Sequence, residues 1–249
     1  MGLHPLAAQF ASVADAYDRG RPDYAPAVVG AMTAELGLRA DAMVLDLAAG
    51  TGKLTRALVA AGLDVTAVEP QPELRERLAQ AVGLERVRDG VAEAIPLEDR
   101  SVDAVTVADA FHWFDQARAG AEIRRVLRPN GGLAVLFTVP DWTGASWADE
   151  LGKMIEGRRP QHPHFDGPRW QDSLREAGGW TDPREVRVTT SRAADPATVI
   201  DYVASISFVA AMPEDERAEW LARATEVVES GETPAELPVQ VVIGLASLT

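Results

Sequence analysis

The residues best equipped for chemistry lie in one stretch, Val44-Leu-Asp-Leu-Ala-Ala-Gly-Thr-Gly-Lys-Leu-Thr55. Met43 to Leu47 is a short apolar run of buried-strand type, a glycine loop follows, and Leu54 to Ala61 is helical in composition, with Gly62 placed to stop it. Gly50 and Gly52 let the backbone approach a ligand closely and take positive φ. The free N–H groups of the next helix suit an electronegative ligand. Asp46, at the strand's carboxyl end, attracts a cationic group. Glu69 ends the next predicted strand, Val65 to Val68, where an acidic residue can take both hydroxyls of a ribose. A phosphate-binding P-loop is excluded, because Leu54 follows Lys53 where Ser or Thr is required and Leu47 holds the first glycine position. The nicotinamide fingerprint retains Gly50 and Gly52 but has Thr55 in place of its third glycine. Asp46 and Glu69 at matching strand ends argue against a bare tight turn.

A second group, Asp109, Ala110, Phe111, His112 and Trp113, follows the predicted strand Val102 to Val107. His112 is a candidate proton acceptor, with packing as the plainer alternative, and Trp113 is a candidate pocket wall. Phe10 to Tyr24 carries Tyr17, Arg21 and Tyr24. These can close over a carboxylate and a cation, or simply pack as a first helix. His162 and His164 alternate on a Pro-rich stretch that reads as a loop. Two histidines without a third ligand make a poor metal site, so no metal is expected. Arg124, Arg125 and Arg128 read as a solvated helix face.

The elements that must position these groups alternate. Pro72 opens a helix through Val82 with Gly83 as its stop, Val87 lies on a weak third strand, Gln116 to Leu127 is helical, and Leu133 to Val139 is a fifth strand. Asp141 to Glu185 contains four of the six tryptophans and shows no clear period. Val186 to Thr190 reads as a strand, Asp195-Pro196 as a helix start, Pro213 to Glu229 as a helix and Val239 to Leu245 as a final β-rich run. Repeated strand–helix units argue for a parallel sheet covered by helices on both faces.

With 249 residues, 47% hydrophobic, the chain can bury a sizeable core. Lys+Arg 24 against Asp+Glu 38 gives a net charge of -14, which disfavours nucleic acid and anionic membrane partners. The absence of cysteine removes disulfides, thiol nucleophiles and cysteine metal sites. No run approaches the roughly 20 apolar residues of a membrane span, and the first residues lack a secretory pattern, so a cytoplasmic protein is expected.

LDLAAGTGKLT resembles motif I of the S-adenosylmethionine-dependent methyltransferases with a seven-stranded Rossmann-like fold. VTAVEP, ending on Glu69-Pro70, resembles their second motif. Residues 90–115, GVAEAIPLEDRSVDAVTVADAFHWFD, resemble the adenine loop, fourth strand and post-strand loop, and residues 127–136, LRPNGGLAVL, the turn into strand five. Across residues 42–138 the chain is similar to the methyltransferase type 11 group, particularly the branch with His-Trp-Phe after strand four, akin to trans-aconitate methyltransferases.

The resemblance implies an α/β fold: a doubly wound, seven-stranded, mostly parallel sheet with an antiparallel C-terminal strand. It implies one domain over residues 1–249, with 1–24 as an N-terminal lid and 141–235 as substrate-shaping insertions. The implied reaction is methyl transfer from S-adenosylmethionine to O, N or activated C of a small-molecule acceptor. By resemblance, Ala48, Gly50, Thr51 and Gly52 pass under the methionine part, Asp46 assists its ammonium, Glu69 holds the ribose and Pro70 packs on the adenine. Val91 and Ala92 meet the adenine edge, with Glu93 as a side-chain alternative. Asp109 and Ala110 lie beside the sulfonium, and Tyr17, Arg21, Tyr24, His112 and Trp113 line the acceptor pocket. Relatives carry glycine where Ala48 stands, so Ala48 is expected at negative φ. The alternatives are a non-catalytic S-adenosylmethionine-binding module and a nicotinamide-dependent oxidoreductase.

Overall fold

A computed structural model describes residues 4–159 and 162–249; residues 1–3 of the expected N-terminal lid lie outside the described residues. The chain divides into two compact units, each assembled from separated stretches. The larger comprises Asp23–Thr138, Pro163–Val188 and Val241–Thr249; the smaller comprises the chain up to Pro22, Val139–His162 and Thr189–Gln240.

Seven strands form one sheet: β1 (Met43–Leu47), β2 (Asp64–Val68), β3 (Val87–Arg88), β4 (Val102–Ala108), β5 (Leu127–Pro140), β6 (Arg184–Ala193) and β7 (Glu236–Ser247). Their order is β3-β2-β1-β4-β5-β7-β6. β1 runs parallel to β2 and β4, β2 to β3, and β4 to β5, and one strand of the seven is antiparallel. The helices are α1 (Ala14–Gly20), α2 (Pro26–Leu36), α3 (Lys53–Ala60), α4 (Pro72–Val82), α5 (Gln116–Val126), α6 (Ala148–Glu156), α7 (Pro163–Asp166), α8 (Trp170–Ala177), α9 (Pro196–Ala204), α10 (Ser207–Ala210) and α11 (Glu214–Glu229).

Central strands of a sheet covered on both faces must be apolar on both sides. Accordingly Val44, Leu45, Leu47, Ala104, Val105, Val107 and the run Leu133–Leu136 are all buried. α5 turns Ala119, Ile123 and Val126 onto this layer, and its first turn is capped by Asp115, which accepts the Arg118 N–H at 3.2 Å. The expected elements are present, with shifts. β5 begins at Leu127 rather than Leu133, with an irregular register opposite Val102 and Ala104. Residues 141–185 contain the short helices α6, α7 and α8, whose brief amphipathic turns are too short to show a period.

Of the three arginines expected on a solvated face, Arg124 is exposed, whereas Arg125 and Arg128 are part-buried, and all three make specific contacts. Arg125 donates to Glu122, Asp99 and the carbonyl oxygens of Ile95 and Leu97; Arg128 pairs with Asp103 at 2.8 Å, and Arg124 donates to the Gly178 carbonyl. The loop at 95–99 offers carbonyl oxygens with no ladder partner, and a guanidinium fork is the donor that satisfies several at once.

In the smaller unit α1 docks on α9. A Cβ at Gly20 would lie 2.1 Å from the Tyr202 nitrogen, so this crossing admits only glycine. Arg19 pairs bidentately with Asp201 at 2.7 and 2.8 Å, and Arg192 donates to the Gly20 carbonyl. Trp147, Leu151, Val199, Val203 and Trp220 form the core beneath. Among the described residues, no helix is long and apolar enough to cross a membrane.

Candidate active site

The strand order brings the carboxyl ends of β3, β2, β1 and β4 side by side in the larger unit, and the chain reverses its direction of progress between β1 and β4. That switch point is where open α/β sheets leave a crevice for ligands. Asp46 and Glu69 stand there at the ends of adjacent strands, because Leu47 pairs with Val68 in register.

The loop after β1 is built from three left-handed residues: Ala48 at φ 58°, Gly50 at 59° and Gly52 at 88°. Ala48 therefore departs from the expected negative φ. The backbone must turn sharply away from the sheet within a few residues of β1, and that path fixes a left-handed step at this position whatever its side chain. An L-residue there carries about 1–2 kcal/mol of strain. Ala48→Gly relieves it but gives the unfolded chain more freedom. The expected net gain is about 0.5–1 kcal/mol, read as a higher urea midpoint; an unchanged or lower midpoint would show that the strain is absorbed elsewhere. At Gly52 an added Cβ would strike Leu78 Cδ1 at 2.7 Å, so this glycine also serves the packing of α4 on the loop.

Asp46 is buried, and its carboxylate accepts hydrogen bonds from the hydroxyls of Thr55 (2.6 Å) and Thr106 (3.2 Å). Thr55, the residue that interrupts the nicotinamide fingerprint, thus ties the first turn of α3 to β1. Burial pushes the Asp46 carboxyl up to about 6, against the two hydroxyl bonds. Glu69 is also buried. One oxygen accepts the Gly50 N–H and the other the Gln71 N–H, both at 2.9 Å, so it fastens the glycine loop to the end of β2. Burial raises its carboxyl to about 7, although those N–H bonds and Arg75 pull the other way. Thr51 is buried, and Pro70 is half-buried with its carbonyl oxygen accepting from Arg75 at 3.0 Å. Lys53 of the Gly-Lys pair points its ammonium at Asp23, 3.0 Å away, which accords with the failed phosphate-loop pattern.

Val91, Ala92 and Glu93 follow β3. Val91 bridges back to Ala94, Ala92 is buried, and Glu93 accepts the Asp115 N–H at 2.8 Å, which joins this loop to the start of α5. At the end of β4, Asp109 adopts φ 52°. Its Oδ1 accepts the Thr138 N–H at 3.0 Å and its Oδ2 the Tyr24 hydroxyl at 3.5 Å, while the Thr138 hydroxyl donates to Tyr24 Oη at 3.3 Å. Ala110 is buried, and Phe111 anchors the single turn that carries His112 and Trp113, whose rings lie 4.4 Å apart.

Tyr24, Asp109, His112 and Trp113 thus share the larger unit. Tyr17 and Arg21 belong to the smaller one, where the Arg21 guanidinium lies 5.6 Å from the Tyr17 ring centre and 4.4 Å from that of Tyr202, and donates to Ser205 Oγ at 3.0 Å.

Sequence reasoning missed Thr55 and Thr106 as holders of Asp46, Thr138 and Tyr202. Hydroxyls and rings of this kind carry no spacing signal. From sequence, both histidines of the 162–164 stretch read as loop residues. The structure separates them: His162 is buried against Ser207 Oγ at 3.1 Å in the smaller unit, whereas His164 sits on α7. Its ring centre is 5.1 Å from that of His112 and 5.2 Å from that of Phe137.

The methyltransferase domain family matches residues 45–135. An uncharacterized methyltransferase of Mycobacterium tuberculosis is 40% identical over 223 residues, covering 90% of this chain and 86% of the relative. An uncharacterized methyltransferase-like protein of Schizosaccharomyces pombe is 33% identical over 219 residues, 88% of this chain and 84% of the relative. Among solved structures, a candidate type II methyltransferase from Anaeromyxobacter dehalogenans superposes with a TM-score of 0.62 at 23% identity, over 91% of this chain and 96% of that one. A SAM-dependent methyltransferase from Thermotoga maritima gives 0.56 at 18% identity, over 97% and 99%. At these identities the structures speak to the fold alone.

Proposed function

The chain belongs to the methyltransferase family, and from that premise we propose that it moves a methyl group from S-adenosylmethionine to a small-molecule acceptor. The observation that carries the reading is the pair of buried carboxylates, Asp46 and Glu69, on adjacent strand ends around a loop of three left-handed residues. These residues suit the cofactor's chemistry. Glu69 spends one lone pair of each oxygen on a backbone N–H, which leaves the others to accept ribose hydroxyls. Asp46 supplies a negative charge for the ammonium, and a Cβ built on Gly50 meets nothing within 4 Å, so the loop backbone is open to a ligand. Pro70, Val91 and Ala92 serve the adenine, with Glu93 committed to Asp115. When bound, the cofactor supplies an electrophilic methyl group on a sulfonium. The protein's share is to align the acceptor with that methyl and exclude water, which falls to the turn bearing His112 and Trp113 and to Tyr24 with Asp109.

Calorimetry with S-adenosylmethionine tests this directly. Glu69→Ala removes a ribose acceptor and unfastens the loop, so binding should weaken by roughly 1–3 kcal/mol, about tenfold to a hundredfold. An unchanged affinity would sink the site assignment. Release of S-adenosylhomocysteine from a panel of small acceptors separates an enzyme from a binding module.

A further inference from the structure

We propose that His112 and His164 form a paired proton acceptor beside the Asp109 carboxylate, and that the methyl acceptor is accordingly a hydroxyl compound that must lose its proton as it attacks. The proposal rests on the reading above and extends it to the substrate class.

The two imidazoles come from distant parts of the sequence. His112 is presented by the turn after β4, and His164 by α7. Their ring centres are 5.1 Å apart at an interplanar angle of 73°. Two imidazolium cations at that separation repel, so a proton on one ring disfavours a proton on the other. Phe137 walls one side of His164, 5.2 Å away, and Trp113 walls His112 at 4.4 Å. These rings take water from the inner side of the pair, and burial accordingly lowers the His164 value from its ordinary one. His164 is exposed, which gives a proton on the pair a way out to solvent. Asp109 works in the opposite direction and favours a proton on His164. Asp109 is fixed for that task by the Thr138 N–H and the Tyr24 hydroxyl, on a backbone held at φ 52°. A left-handed aspartate that is hydrogen-bonded on both oxygens is an orienting group, and it stands where a proton on the pair needs a counter-charge. A neutral imidazole accepts a proton; a carboxylate acceptor has none to give, and an alcohol or phenol does.

The step balances within these groups. The acceptor O–H bond breaks and its proton passes to an imidazole nitrogen of the pair. The oxygen lone pair forms the O–C bond to the methyl carbon, the C–S bond breaks, and its electron pair stays on sulfur as the neutral thioether. The imidazolium then returns its proton to solvent.

The test combines NMR titration of the imidazole resonances in cofactor-free protein with turnover. In the native protein His112 and His164 should titrate as a coupled pair, and His112→Gln should raise the His164 value by about one unit as the neighbouring charge is removed. An unchanged His164 titration in that variant overturns the pair. In turnover with a panel of phenols and aliphatic alcohols, His112→Gln and His164→Gln should each lower kcat/KM by about 10²-fold. The double variant should fall no further, because the two act as one unit. Full activity of either single variant, multiplicative losses in the double, or turnover of carboxylates, amines or carbon acids but of no hydroxyl compound overturns the proposal. Failure of the native protein to bind S-adenosylmethionine in calorimetry would remove the underlying methyl-transfer reading, whatever the imidazoles do.

Discussion

Phe111→Ala should cost about 3–5 kcal/mol, a large fraction of the stability of an ordinary domain. Phe111 is fully buried, and its ring meets Phe114 at 5.5 Å and Trp170 at 6.1 Å in the larger unit's core. Deleting the ring loses its transfer free energy and leaves a cavity among side chains carried on β4, α5 and α8, which cannot collapse together to fill it. The same residue opens the turn that presents His112 and Trp113, so whatever protein remains folded should also lose turnover. Phe111→Leu fills most of the volume and should cost about 1–1.5 kcal/mol. Urea denaturation of the three proteins measures this. A loss under about 1 kcal/mol for the alanine variant would mean that the turn is held by something other than its buried ring.

Asp46→Asn should act with the opposite sign on stability, by about 3 kcal/mol at pH 8, and still weaken cofactor binding. The buried carboxyl, raised to about 6, keeps its proton in the folded state between about pH 4 and pH 6, where the unfolded chain has already lost it. The folded state therefore binds more protons across that window, and stability falls as pH rises through it. Above about pH 7 the whole deficit is present, about two pKa units or roughly 3 kcal/mol. Asparagine never ionises. Its carbonyl accepts the Thr55 hydroxyl and its amide donates to Thr106 Oγ1, whose own hydrogen can go to the Leu45 carbonyl. The native and variant proteins should thus have similar urea midpoints near pH 4 and well-separated ones at pH 8. Equal separation at both pH values would show that the charge is not its source. S-adenosylmethionine binding should drop about tenfold, because the ammonium loses its counter-charge.

The signals that can be read along the chain are local and periodic. The apolar runs ending in Leu47 and Val68, the glycines at 50, 52 and 83, the prolines at 72 and 196 and the cap at Asp195 announce strands, a ligand loop and helix limits. Each of those signals acts through a segment of a few residues. For the same reason Asp46 and Glu69 are legible from residue order alone as strand-end carboxylates. Folding in three dimensions decided what meets across long separations: Thr106 with Asp46, Thr138 and Tyr24 with Asp109, His164 with His112, and Arg125 with the carbonyls at 95 and 97. Hydroxyls, guanidinium groups and lone histidines have no periodicity, and their partners are chosen by which strands lie side by side. The left-handed Ala48 shows the limit most clearly. The residue type favours negative φ, and the path required of the loop between β1 and α3 overrides it, because a small local strain is outweighed by the packing and hydrogen bonds that the turn makes possible.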